Sequence, residues 1–118
     1  MDPKIVKAST LKEIETSENC SIMETWSSDK VSIARARVKP GLTTEAHYLK
    51  NVDEIYIIVK GKGSVKAGDL EVATVIAGDT VFIPAGVWQQ ITNVGKTDLV
   101  FYCVCTPRFT QESYHSGH

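Results

Sequence analysis

Sustained helical periodicity is missing from this chain: apart from "LKEIETSE" from Leu11, which has the makings of one short turn, apolar residues do not recur every three to four positions. Long apolar runs are missing too. None approaches the roughly 20 residues a membrane helix needs, and "MDPKIVKAST" has no continuous apolar segment of the secretory kind. Cysteine is scarce and odd in number, with Cys20, Cys103 and Cys105, which fits a reducing cytoplasm better than a disulfide framework. Charge of one sign is not in excess either. Thirteen basic residues face fourteen acidic ones, a net charge of -1, so nothing electrostatic points to nucleic acid or an anionic membrane as partner. Histidine is rare. His115 and His118 sit in the last four residues, and His47 is alone in the interior.

What is present is a succession of short strand-forming runs: Ser21–Trp26, Val31–Val38, Thr43–Leu49, Glu54–Val59, Gly63–Ala67, Glu71–Ile76, Thr80–Ile83, Trp88–Thr92 and Leu99–Cys105. Glycine, proline, asparagine and aspartate separate them, as at Pro40-Gly41, Asn51–Asp53 and Pro84–Gly86. Short strands with a turn roughly every 8 to 12 residues predict an all-β sandwich or barrel. The 118 residues suit one domain spanning 1–118. Residues 107–118 read as a polar tail, draped over the body or loose.

Side chains alternate along a strand, so Thr43, Glu45, His47 and Leu49 are expected on one face. In the next strand Glu54, Tyr56 and Ile58 share a face, while Ile55, Ile57 and Val59 share the other. That strand is apolar on both sides, so a second layer must cover it. The cover is expected to be an identical chain related by a two-fold axis, giving a homodimer. N-terminal strands such as "SIMETW" are the competing cover.

Gly41, His47, Glu54 and Gly61 fall at fixed spacings over 41–61, and Gly78, Pro84, Gly86, Gln89 and Asn93 at fixed spacings over 78–93. These two motifs resemble those of the cupin superfamily, in particular its small single-domain members. The resemblance implies a double-stranded β-helix, or jelly-roll barrel, with a pocket at its mouth. It also implies a metal centre of three histidines and one acid, from which this sequence departs. Leu49 and Gln89 stand where two of the histidines would be. His47, Glu54 and Gln89 remain as a candidate ligand set for Fe, Mn, Ni or Zn, with Glu45 as a further in-phase oxygen. Against this stands a plain reading, in which His47, Glu54 and Gln89 form a buried hydrogen-bonded cluster.

Cupin spacing aims His47, Glu54 and Gln89 at one pocket, and Tyr56 is in phase to add a hydroxyl. Together they are the candidate ligand-binding residues. Two functions follow from the resemblance. One is a metal-dependent enzyme of isomerase, dioxygenase or lyase type acting on a small polar metabolite. The other is a non-catalytic ligand-binding or regulatory module without tightly held metal. Outside the site, Gly61 and Gly63 are expected to shape a hairpin turn around Lys62. Arg35 and Arg37 read as the solvated edge of an outer strand, Cys103 and Cys105 as packing residues, and Trp88 as pointing away from the pocket.

Overall fold

The computed structural model describes residues 2–117; His118 lies outside them. The strands are β1 (Ile14–Glu15), β2 (Ser21–Ser27), β3 (Ser32–Val38), β4 (His47–Leu49), β5 (Asp53–Lys60), β6 (Lys62–Ala67), β7 (Ala73–Ile76), β8 (Thr80–Ile83), β9 (Gln89–Asn93), β10 (Leu99–Thr106) and β11 (Tyr114–Ser116). They form two antiparallel sheets, in the orders β1-β2-β3-β10-β5-β8 and β11-β4-β9-β6-β7. This is the all-β jelly roll of a double-stranded β-helix. Among the described residues no helix is long and apolar enough to cross a membrane.

The alternation read in β5 has a structural counterpart. Glu54, Tyr56 and Ile58 are buried, while Ile57 and Val59 are 40% and 44% exposed. Ile58 joins Val38, Ile83, Ile91 and Leu99 between the sheets, each at 1% exposure or less. Burying side chains of this size stabilises by about 1.5–3 kcal/mol each, and together they hold the two sheets face to face.

The link after β5 is not a hairpin. β5 and β6 lie in different sheets, so Gly61 carries the chain from one to the other. Its φ is +87°, and an added Cβ would stand 2.6 Å from the Asp98 carbonyl oxygen. Gly63 has no positive φ; it makes room instead, since a Cβ there would come 3.1 Å from Ile91 Cδ1 and Leu99 Cδ2.

Three further differences from the sequence reading bear on the site. The region from Leu11 is not helical: it leads into β1, and the nearby 3₁₀ turn is Ala8–Thr10. Thr43–Leu49 is regular only from His47, because Thr43 makes an isolated bridge to Thr92 and Thr44 is tied to Ile91 by N–H···O at 2.9 Å. The tail is an element of the fold, with β11 pairing antiparallel to β4 in the register Tyr114↔Leu49 and Ser116↔His47. The Lys50 amide donates to the Ser113 carbonyl at 2.8 Å and fixes the entry to that strand.

Candidate functional site

β4 and β9 bring His47 directly opposite Gln89, and β5 places Glu54 beside Cys105 and Tyr56 beside Cys103 of β10. Between the two sheets lies a cavity of about 300 Å³. His47, Glu54, Tyr56 and Leu49 line it; Gln89 does not. Gln89 is 2% exposed, and its Oε1 accepts a hydrogen bond from the Tyr56 hydroxyl. The two amino acids read as ligand-binding partners thus bond to each other, and the Tyr56 hydroxyl is already committed.

His47 is held from two sides. Its Nδ1 lies 2.9 Å from the Glu45 carbonyl oxygen. A carbonyl can only accept, so Nδ1 carries a proton and Nε2 is the ring nitrogen left for other partners. The Tyr114 ring stacks on the imidazole with centroids 4.5 Å apart, and the Tyr114 hydroxyl donates to Glu45 Oε1 at 2.6 Å. Glu45 therefore orients His47 and Tyr114 rather than entering the cavity, whose wall is supplied by its neighbour Thr44. The irregular backbone before His47 explains the shift, since strict alternation applies only within a strand.

Glu54 is 7% exposed. Oε2 accepts from the Cys105 thiol at 3.6 Å, and Oε1 is buried with no hydrogen-bond partner. Burial raises its carboxyl above the usual range, and His47, Gln89 and the two thiols offset this only in part. Glu18, on the loop between β1 and β2, lines the same cavity. Burial raises it too, with His47 and Tyr114 pulling it back and Glu45 pushing it further up. Burial likewise pushes the Cys105 thiol well up.

Sequence reasoning missed Cys20, Cys103 and Cys105 as cavity residues. The in-phase placement of Cys103 and Cys105 with Phe101 was the available signal for two of them. Tyr114 was also missed, because a three-residue strand in a polar tail carries no periodic pattern. Trp88 does point away: it is 44% exposed, edge-on to Tyr48 at 4.9 Å. Arg37 is on the outer surface, paired with Glu13 at 2.9 Å and Asp98 at 3.2 Å. Arg35 is not solvated as expected. Its Nε is buried without a partner, and another guanidinium nitrogen lies 3.9 Å from Met23 Sδ.

The donor set fits a resident metal poorly. Of the four positions that the family resemblance points to, Leu49 presents carbon, the Gln89 oxygen is taken by Tyr56, and only His47 and Glu54 remain. Among the described residues no group of three or more His, Cys, Asp or Glu side chains is placed to hold a metal ion.

The cupin domain family matches residues 34–105. The uncharacterized protein MJ1618 of Methanocaldococcus jannaschii is 35% identical over 83 residues, covering 70% of this chain. The chain spans 66% of that protein's length. A predicted oxalate decarboxylase from Thermotoga maritima has a similar structure, with a TM-score of 0.81 and 25% identity over 88% of this chain and 99% of that one. Pac13, described as a unique nucleoside dehydratase, has a TM-score of 0.82 at 11% identity over 98% of this chain and 91% of its own. The latter likeness is one of fold.

Proposed function

Because the chain belongs to the cupin family, we propose that it is a small-molecule cupin whose cavity catalyses proton transfer, of isomerase or lyase type. The observation that carries this reading is the fixed orientation of His47: with Nδ1 bonded to the Glu45 carbonyl, Nε2 is the nitrogen left to exchange a proton with a ligand. Glu54 lines the same cavity with its carboxyl biased toward the protonated form. A base and an acid kept apart by their surroundings are what proton transfer needs. In an isomerisation, Nε2 takes a proton from carbon while the Glu54 carboxyl gives one to the neighbouring carbonyl oxygen; the enediol then gives the proton of its other hydroxyl to Glu54 and takes the His47 proton on the former carbonyl carbon. In a dehydration, the oxygen receiving that proton leaves as water, and the His47 proton restores Glu54. The predicted oxalate decarboxylase among the similar structures supports lyase chemistry as a class. No step here passes through a metal.

The reaction can be tested without first identifying the substrate. The protein is incubated in D₂O with a library of small hydroxyl- and carbonyl-bearing metabolites, and NMR reads solvent deuterium entering carbon. Exchange should appear with the wild type, survive chelators, and fall about 100-fold or more in His47→Ala, the usual scale of general base catalysis. Binding without exchange would favour the non-catalytic module. Loss of exchange on chelation would restore a metal to the site.

We infer also that two chains associate through the outer face of the six-stranded sheet. Ile33, Val104, Ile55 and Phe82 lie side by side across four strands, with Phe82 56% exposed. β2, the "SIMETW" strand, lies in that same sheet and so cannot cover it. A second copy with the same patch closes the arrangement.

A further inference from the structure

The cavity has an asymmetry of charge. Among the described residues, Glu18, Glu24 and Glu54 are on its wall, and no lysine or arginine is. Among the described residues its one basic side chain is His47, whose imidazole donates to a backbone carbonyl and whose face is covered by Tyr114. An anion entering here would meet three carboxyl groups and neither arginine nor lysine among the described residues. Carboxylates and phosphates are gripped by arginine or lysine almost wherever they bind tightly, so the usual partner of an anionic substrate is missing from this wall.

The rest of the wall suits the opposite charge. Tyr56, Phe101, Phe109 and Tyr114 present aromatic rings to the cavity, and aromatic faces attract ammonium groups at short range. Glu18 is half-buried and Glu24 exposed, so they stand on the more accessible side. Glu54 is 7% exposed and deeper, with Oε1 lacking any protein partner. A buried polar atom left unpaired is costly unless something satisfies it, and a polar group of a bound ligand is in position to do so.

We propose that the ligand of this cavity is a small organic amine, its ammonium group at Glu18, its apolar body against the aromatic rings and a polar group reaching Glu54. This rests on the small-molecule reading above and names the ligand's class. Phosphate- and carboxylate-bearing metabolites are expected to bind more weakly than amines. The assignment sets that polar group beside the Glu54 carboxyl, the acid of the proposed proton transfer.

Three probes of one shape and different charge test it: 2-phenylethylamine, 2-phenylethanol and phenylacetate, with affinities read by calorimetry and saturation-transfer NMR. The amine should bind at least about tenfold more tightly than phenylacetate, the least a charge-assisted hydrogen bond supplies, with the alcohol between. Glu18→Gln should remove most of the amine's lead over the alcohol, and Glu24→Gln, at a more exposed position, a smaller part of it. Phenylacetate binding as tightly as the amine overturns the assignment while leaving a small-molecule cavity standing. An amine affinity unchanged in Glu18→Gln overturns it as well. If none of the three probes binds the wild type, the amine assignment falls, while the small-molecule reading stands or falls with the D₂O exchange.

Discussion

The two ends of the interior are built from the same strands and treat polarity in opposite ways. β5 supplies Glu54 to one end and Ile58 to the other; β9 supplies Gln89 to one and Asn93 to the other. At the closed end the buried amide is fully used. Asn93 Nδ2 donates to the carbonyls of Val38 and Thr97, each at 2.8 Å, and its Oδ1 accepts from the Gly95 amide at 2.9 Å. At the open end Glu54 keeps an unpaired oxygen beside a cavity. Buried polar groups are normally satisfied by the protein. An exception at one end, with strict compliance at the other, separates the group that holds the fold from the one available to a ligand.

That contrast can be broken most forcefully from the closed end. Ile58→Ala should cost about 2–5 kcal/mol of stability in a denaturant titration, because a fully buried aliphatic leaves a cavity that its packed neighbours cannot fill. A loss under about 1 kcal/mol would mean that this end is no better packed than the other.

Quaternary structure is the next largest effect. Sedimentation equilibrium at micromolar concentration should give twice the 13.0 kDa chain mass, and Ile57→Lys, on the outer face of β5, should shift the balance toward monomer. A species of chain mass in the wild type refutes the dimer. A dimer indifferent to Ile57→Lys moves its interface elsewhere.

A smaller effect is expected at Glu54, and it depends on pH. Its folded-state carboxyl is raised above the ordinary 4.5, so the native state holds the proton more tightly than the unfolded chain. Stability from this group is therefore full below pH 4.5 and is lost as pH rises through the folded value. Glu54→Gln removes the ionisation. The variant should melt higher than the wild type at about pH 7, with the gap closing as pH falls toward 4.5. A variant that melts lower at every pH would show that the carboxylate is stabilised where it stands.

Least of all should change with Tyr114→Phe. Loss of the hydroxyl bond to Glu45 should cost about 0.5–1.5 kcal/mol, while the stack on His47 remains. In the D₂O exchange assay the variant should lose several-fold through a less firmly held imidazole. An unchanged rate would remove Tyr114 from the positioning of His47.

Much of the fold is legible in the sequence because its determinants are local. Pro84 and Gly86 announce a turn, and the Gly86 amide donates to the Leu49 carbonyl at 2.8 Å. The alternation of β5 identifies its buried face. What escaped was set by contacts distant in sequence. β11 exists only because β4 offers it an edge, and nothing within Tyr114–Ser116 signals that. Gly61–Gly63 has the composition of a hairpin, yet the chain changes sheets there, which depends on the position of β10. Glu45 is in phase with His47 only if residues 43–46 continue the strand. For the candidate site, the meeting of His47 with Gln89 followed from motif spacing; the capture of the Gln89 oxygen by Tyr56 required coordinates.

Cys20, Cys103 and Cys105 all open onto the one cavity, and burial raises each of them above the ordinary thiol range. They are therefore mostly unionised at neutral pH, and slow toward alkylating agents, since the thiolate is the reactive form. Three slow thiols around one chamber amount to a built-in clock. The rate at which a small neutral maleimide labels them measures how often the chamber is open and empty. An occupant of any chemistry should lengthen that time, which offers a way to find ligands without knowing what reaction to look for.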